Sequence, residues 1–520
     1  MNKSKRLSDG FVYFSIAVST IIVALSLRSN PFSTTMPQND SSMFIYFGRG
    51  MNNGLIPYVD MFDHKGPVLF IINQLGNLLG FGHDEFGIWL LQTIFYLITI
   101  IIWYKIGKML TSNKLLISMG LIYSSIIAAN TFEGGNLSED YALVFISLAL
   151  LYFIKILFTD VSNKLDLYII GVMAGLVFFT RANMVAVWVV FPSYLIFKAV
   201  RKENVDILKQ VCYVFLGGIT VVGLILLWSI IQNNTYEMLY QSLIFNFKYA
   251  GQATFERKLA ATRFFMTFYN NFGISGFMAV FLLSIPVIKS KKTKILSFLL
   301  IILTALNFYT IIMSGFNFLH YTTTFLPMLF ICIIIGFDSI MNVFKEKGVK
   351  FNNSSIILLT FVALSLIPAW TTFSDIKALN SGNQAREYSA MGRIAEFISE
   401  NSNEDDLIYV HNLDANIYNF SNRFSNTRFF DVVAINFENF PNFIEEFENS
   451  FAMNPPKFIA IDAEAFYNEH PNNTRLDYSI INIIKSQYTL LDEFRNDWIL
   501  VFEKNSDLTT ADSRIGENNE

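Results

Sequence analysis

The chain has 520 residues, 53% of them hydrophobic and only 15% charged, with 53 phenylalanines and a positive mean hydropathy. An ordinary soluble domain carries about 25% charged residues, so much of this chain must fold in lipid; a nucleic-acid binder, a coiled coil and a small secreted scaffold are excluded. Its two cysteines, Cys212 and Cys332, lie inside apolar runs and exclude a disulfide framework and a cysteine-based metal site.

A membrane crossing takes roughly 17 to 25 mostly apolar residues. Eleven runs qualify as candidates, near 11–28, 87–104, 114–130, 141–158, 167–180, 184–199, 210–231, 272–288, 295–313, 322–342 and 354–370. The first follows a basic stretch with no small-residue cleavage site after it, and reads as a retained anchor. The loop 29–86 is too long for a turn. Within it Met43–Arg49 reads as an amphipathic helix lying in the membrane interface, and Val68–Leu79 as an apolar piece too short to span, re-entrant in character. The polar knot Thr180-Arg181-Ala182-Asn183 separates the fifth run from the sixth. The loop 232–271 alternates aromatics with Lys248, Arg257, Lys258 and Arg263, as a surface-lying segment would.

Charge divides the chain and orients it. Residues 371–520 carry 11 Lys/Arg against 25 Asp/Glu, a net −14, whereas the first 370 carry 27 against 17, a net +10. With the N-terminus cytoplasmic, 19 of those 27 basic residues fall in six inside segments that all agree. An odd number of spans then places the acidic tail outside. That tail reads as a soluble α/β domain: a helix over 393–401, a strand at 407–410, a helix over 440–451 and a strand over 457–462. A helix over 478–485 and a hairpin of 489–494 with 498–502 complete it. Asn416-Ile417-Tyr418 reads as an aromatic turn. The expected organisation is therefore a polytopic α-helical membrane protein of about 11 transmembrane helices over residues 1–370, an extracytoplasmic α/β domain over 371–504, and a disordered tail over 505–520.

Ionisable residues near lipid are costly, so those on the outer side are candidates for function. The first loop supplies Asp40, Arg49, Asp60, Asp63, His64 and Lys65; the second Glu133, Glu139 and Asp140; the third Arg181; and His320 and Tyr321 open the tenth run. Carboxylates for proton abstraction beside Lys, Arg and Tyr for phosphate oxygens suit a lipid-linked phospho-sugar. Each residue also has a plainer reading. Asp40 fits a helix cap, and Asp63-His64-Lys65-Gly66 a charged turn before a helix beginning at Pro67. Glu139 and Asp140 favour a helix N-terminus, Arg181 a side chain snorkelling to the interface, and His320 an aromatic-belt neighbour of Tyr321. Their accumulation on one side is the signal.

Asp40, followed by Tyr58-Val59-Asp60-Met61-Phe62-Asp63-His64-Lys65-Gly66-Pro67-Val68-Leu69, resembles the bacterial branch of the polyprenyl-phosphate-dependent membrane glycosyltransferases of GT-C fold, related to protein O-mannosyltransferases and aminoarabinose transferases. That family carries a Tyr-x-Asp-x-x-x-His-Lys-Pro-Pro-Leu type segment, whose first proline is replaced here by Gly66. Gly175-Leu176-Val177-Phe178-Phe179-Thr180-Arg181-Ala182-Asn183 and Phe318-Leu319-His320-Tyr321 with Pro327 are similar to two further family segments.

The resemblance implies transfer of a sugar from a polyprenyl-phosphate donor, in a bacterium undecaprenyl phosphate, to a cell-surface glycan, lipid or protein at the outer face of the cytoplasmic membrane. Asp40 would be the general base of an inverting displacement, with Glu139 and Asp140 positioning the acceptor or aiding the base. Lys65 would hold the phosphate with Arg181, His320 and Tyr321, and Tyr58, Asp60, Asp63 and His64 would support the first-loop motif. Some members use a divalent cation and others none; Asp40, Asp63, His64 and Glu139 are suitable donors, but their spacing forms no fixed ligand motif and no metal is assigned. No nucleic-acid partner is expected. The rival readings are a lipid-diphosphate-dependent polymerase or ligase, which would favour arginines in large outer loops, and a lipid-linked sugar transporter. The latter would need polar residues through mid-membrane, where these runs are apolar apart from small hydroxyls and Asn307.

Overall fold

Lipid offers the backbone no hydrogen-bond partners, so an apolar run that crosses it must close its own N–H and carbonyl groups into a helix. The structure is a computed structural model describing residues 3–38, 40–159, 163–201, 207–246, 253–347, 353–381, 389–431, 437–467, 474–495 and 497–505. It is helical at every one of the eleven apolar runs. Among the described residues eight helices are long and apolar enough to cross a membrane: Asp84–Leu110, Lys114–Thr131, Ser138–Thr159, Ala182–Val200, Ile207–Ile231, Lys291–Ile312, Leu319–Glu346 and Ile357–Ser381. Phe255–Asn271 and Ile274–Val287, bent by 81°, make a ninth if they count as one span. The fifth run falls short of that length, as the 15-residue helix Lys164–Phe178, and the first lies in the 24-residue helix Lys3–Ser26. The chain is a multi-pass membrane protein.

Two compact units divide the chain: Met1–Ser33 with His64–Gly382, and Thr34–Asp63 with Asn383–Glu520. In the first, 83% of the apolar stretch of Leu319–Glu346 is buried, against 22% for Ile207–Ile231 and Ile357–Ser381. The former is therefore the central helix of the packing, and the latter two keep apolar sides for lipid. Several polar side chains within the helices pair with each other: Trp103 Nε1 donates to Ser147 Oγ at 2.9 Å, and the Tyr96 hydroxyl to Ser125 Oγ at 2.8 Å.

The second unit is built on a five-stranded sheet, β1 Leu407–His411, β2 Phe424–Ser425, β3 Phe458–Asp462, β4 Tyr488–Leu490 and β5 Ile499–Lys504, in the order β2-β1-β3-β5-β4. β1 runs parallel to β2 and β3, while β5 is antiparallel to β3 and β4. The alternating apolar pattern of Ala390–Glu400, Pro441–Met453 and Arg475–Gln487 buries Ile394, Ile398, Phe447, Ile480 and Ile484 with the strands. All the expected tail helices and strands are present. Asn416-Ile417-Tyr418, read as a turn, opens a short helix, Asn416–Ser421. The expected disordered tail lies outside the described residues from 506 onward, as do Lys202, Lys248 and Lys350.

The segment 34–63 belongs to this sheet unit. Its helix Asp40–Asn52, read from sequence as lying in the interface, is buried from Ser41 to Gly50. Tyr46 stacks on Phe430 at 4.0 Å and its hydroxyl accepts the Ser425 N–H at 3.0 Å. Ser42 Oγ accepts the Ala415 N–H, and Asn416 Nδ2 donates to the Pro37 carbonyl at 2.6 Å. An amphipathic stripe states that an apolar face will be covered, and here protein covers it.

Candidate active site

The site of the first unit is assembled by four segments that follow or precede helices. After Lys114–Thr131 the chain runs through Glu133, Gly134, Gly135 and Asn136 with φ of +47°, +95°, +89° and +62°. Glycines take the two largest values without strain, whereas Glu133 and Asn136 each cost on the order of 1 kcal/mol. The Gly134 carbonyl accepts the Arg28 N–H at 2.8 Å, and Asn136 Oδ1 accepts the Tyr141 hydroxyl at 2.8 Å.

The turn delivers Glu139 and Asp140 to the first turn of Ser138–Thr159, where the helix dipole favours them. Asp140 meets the plainer reading in part: its Oδ2 accepts the Leu137 N–H at 3.1 Å and Gln92 Nε2 at 3.3 Å. Its Oδ1 and Gln92 Oε1 are buried with no hydrogen-bond partner among the described residues. Glu139 does more than cap a helix. It is 2% exposed, pairs through Oε1 with Arg181 Nη1, and accepts Ser138 Oγ at 2.8 Å on Oε2.

Arg181 follows the helix Lys164–Phe178. Its guanidinium is pinned between Glu139 and the Tyr321 ring, with Cζ 4.6 Å from the ring centroid, and so does not simply snorkel to the interface. Glu139 uses one position of a group with five N–H donors. Beside it, the Gly66 N–H donates to the Thr180 carbonyl at 3.2 Å and the Val68 N–H to Phe179 at 3.0 Å. A Cβ at residue 66 would run into the Phe179 carbonyl, and a proline would lack the N–H. The departure from the Lys-Pro-Pro run is therefore built into the packing, and it joins the Lys65 segment to the Arg181 segment. Lys65 is 7% exposed. The His64 carbonyl accepts Asn246 Nδ2 at 2.7 Å, at the end of a π-helical turn over Tyr240–Phe245.

His320 and Tyr321 lie in the 3-10 turn Leu319–Phe325 that feeds the central helix. The His320 ring stacks on Phe318 at 5.3 Å and meets Tyr321 edge-on at 4.8 Å. Glu133 Oε2 lies 2.6 Å from His320 Nδ1 and 3.1 Å from its main-chain nitrogen. Glu133, His320, Tyr321, Arg181 and Glu139 thus form a continuous line, in which His320 and Arg181 each have a carboxylate on one side and an aromatic ring on the other. Such a fixed arrangement suits an anion whose charge grows during reaction, because the donors need no reorganisation. Gln92, Ser138 and Asn246 escaped the sequence reading, since uncharged side chains carry no signal above their surroundings.

Asp40, Tyr58, Asp60 and Asp63 belong to the second unit, whereas His64, Lys65, Glu139, Asp140, Arg181, His320 and Tyr321 belong to the first. Asp40 is the first residue of its helix, inside its first turn. Asp60 Oδ2 accepts the Ile56 N–H at 2.7 Å and holds the turn in which Tyr58, at φ +70°, donates its N–H to Met61. Burial pushes the Tyr58 hydroxyl well above its ordinary value and the Asp63 charge adds to it, so this tyrosine remains protonated. Asp63 is 5% exposed. Arg49 is a clamp inside the unit: it donates to Asn422 Oδ1 and to the Tyr418 and Arg423 carbonyls, over the Phe424 ring at 4.2 Å. Among the described residues no three His, Cys, Asp or Glu side chains gather as a metal-holding group.

Residues 2–367 match the family of the competence-induced protein Ccs4 N-terminal domain. No match is found among curated protein sequences. Among solved structures, ArnT from Cupriavidus metallidurans, bound to undecaprenyl phosphate, is similar with a TM-score of 0.64 at 10% identity, over 96% of this chain and 98% of that one. The oligosaccharyltransferase AglB from Archaeoglobus fulgidus, in complex with an inhibitory peptide and a dolichol-phosphate, is similar at 0.58 and 12% identity, over 98% of this chain and 76% of that one. At such identities the likeness establishes the fold: this is the GT-C fold that the first-loop motif led one to expect.

Proposed function

We propose that this chain, which belongs to the family of the competence-induced protein Ccs4 N-terminal domain, is a membrane glycosyltransferase that moves a sugar from a polyprenyl-phosphate donor to a surface glycan, lipid or protein. The observation that carries the reading is the Arg181 guanidinium held between Glu139 and Tyr321, with His320 beside the same ring and the Lys65 segment bonded to Thr180. The undecaprenyl phosphate held by ArnT supports the donor class. The excess of basic residues in alternate loops supports a cytoplasmic N-terminus with transfer on the outer face.

In this mechanism Asp40, assigned on the first-loop resemblance, takes the proton of an acceptor hydroxyl. The hydroxyl oxygen attacks the anomeric carbon from the side opposite the phosphate, and the carbon–oxygen bond to phosphate breaks with its electron pair leaving on the phosphate. The anomeric configuration inverts. Lys65, Arg181, His320 and Tyr321 hold the phosphate, and their hydrogen bonds strengthen as its charge grows, which lowers the barrier rather than merely tightening binding. Glu139 keeps the guanidinium over the Tyr321 ring, while Asp140 supports the turn through Leu137.

The deciding experiment is release of free polyprenyl phosphate by the purified protein in lipid, from a panel of undecaprenyl-phosphate sugars with a native acceptor extract. Release from one donor, lost in Asp40→Asn, is the expected result. A folded protein that releases nothing from any of them refutes the reading, in favour of a diphosphate-linked donor or of transport. Repeating the assay after treatment with a chelator shows whether a divalent cation takes part.

A further inference from the structure

Glu133 is absent from the three motif segments that carry the family resemblance, yet its Oε2 faces two nitrogens of one residue 187 positions away, the main-chain nitrogen and the ring Nδ1 of His320. His320 is buried, whereas the Glu133 carboxylate reaches solvent, its side chain being 34% exposed. The Phe318 stack and the Tyr321 edge hold the ring plane. An imidazole whose Nδ1 donates to a carboxylate has one tautomer selected for it, and any further proton must go onto Nε2. A purely mechanical fastening of the two segments exists without the ring, since Thr323 Oγ1 donates to the Thr131 carbonyl at 3.3 Å. The left-handed turn that presents Glu133 is itself anchored through the Arg28–Gly134 bond, so the carboxylate is aimed by backbone rather than by a flexible loop.

We infer that Glu133 is a positioning residue: it holds the His320 imidazole with Nδ1–H on its own carboxylate, so that the second proton of the imidazolium sits on Nε2 and is the one donated to the donor phosphate. The phosphate in this statement rests on the proposed function; the tautomer does not.

The test uses the full chain in lipid nanodiscs with its five histidines labelled with nitrogen-15, His320 being assigned by the signal missing in His320→Gln. The wild type is expected to show His320 protonated on Nδ1. Glu133→Ala is expected to lose that preference, and Glu133→Gln to keep it, because the amide oxygen still accepts both N–H groups. In the transfer assay Glu133→Ala is expected to raise the KM for the donor roughly tenfold with a smaller change in kcat, the low end of the scale for partners that orient metal-ligating histidines, and Glu133→Gln to stay within about twofold of wild type. Thr323→Ala, which cuts the mechanical link alone, should leave the KM unchanged. A wild-type His320 protonated on Nε2 alone overturns the inference, as does an unchanged KM in Glu133→Ala or an equal rise in Thr323→Ala. If the wild type transfers no sugar the proposed function fails by itself, and affinity for undecaprenyl phosphate alone then decides: weaker binding by Glu133→Ala upholds the positioning role and equal binding overturns it.

Discussion

Both units contain a histidine hydrogen-bonded to a carboxylate, and the two pairs are finished differently. In the sheet unit His411 is wholly buried; its Nε2 meets Asp477 Oδ1 at 2.8 Å and its Nδ1 the Tyr409 hydroxyl at 3.1 Å. Asp477 also accepts Asn412 Nδ2, the Thr474 N–H and the Thr474 hydroxyl, forming a capping box on Arg475–Gln487. Burial pushes the Asp477 carboxyl up, but the hydrogen bonds from His411 and Thr474 outweigh it and hold the group well below the usual carboxylate range. In the helical unit Glu133, itself partly exposed, engages one ring nitrogen of the buried His320. A histidine–carboxylate pair whose polar atoms are all used within the fold is architecture. One that keeps a ring nitrogen for a ligand is equipment.

Four experiments press on that contrast. Asp477→Ala leaves a buried histidine without its partner and breaks the capping box of a helix, so it should destabilise the sheet unit by about 3–5 kcal/mol, read as lost hydrogen-exchange protection at 407–411 and 475–487. Glu133→Ala should cost under about 1 kcal/mol by the same measure around the 3-10 turn, because the pair is partly solvated. Equal losses would erase the distinction. Arg181→Lys keeps a cation for Glu139 but loses the flat fork on Tyr321, and transfer should fall roughly a hundredfold in a folded protein. Gly66→Pro removes the N–H bonded to Thr180 and crowds Phe179, with an expected loss of about tenfold in transfer and about 2 kcal/mol in stability; unchanged transfer would show that Lys65 needs no such anchoring.

The smallest effect is in acid. Asp477 binds its proton less readily folded than unfolded, so its stabilising contribution is complete above its unfolded value of about 3.9 and fades as the pH falls toward the folded one. Protection of the sheet unit should therefore be level from about pH 5 to 8 with respect to this group and decline below about pH 4. Asp477→Asn should flatten that decline, and an unaltered decline would assign it to other groups.

The helices were legible because each is written locally, in a run of apolar residues. So were β1, β3 and the β4–β5 hairpin, each an apolar stretch between turn signals. What the sequence concealed depends on partners far along the chain. The stripe of Met43–Arg49 announced an apolar face without saying whether lipid or residues near 415–430 would cover it. Gly66 was visible as a departure from a motif, but its reason, the Thr180 carbonyl, is over a hundred residues away. Glu133 stood among the outer carboxylates with nothing to connect it to His320. Arg181 was legible as a candidate from its motif, whereas the Tyr321 face and the Glu139 pairing that fix it are products of the fold.

The sheet unit is made from two pieces of chain, Thr34–Asp63 and the stretch from Asn383 onward, separated by about 320 residues of the helical unit. During synthesis the first piece leaves the ribosome long before its partner exists, with the apolar face of Asp40–Asn52 uncovered. The segment that carries Asp40 cannot reach its final packing until the last strands have been made. Fragments that stop short of them leave that face open to chaperones and proteases, so completion of the chain becomes the condition for the protein to persist.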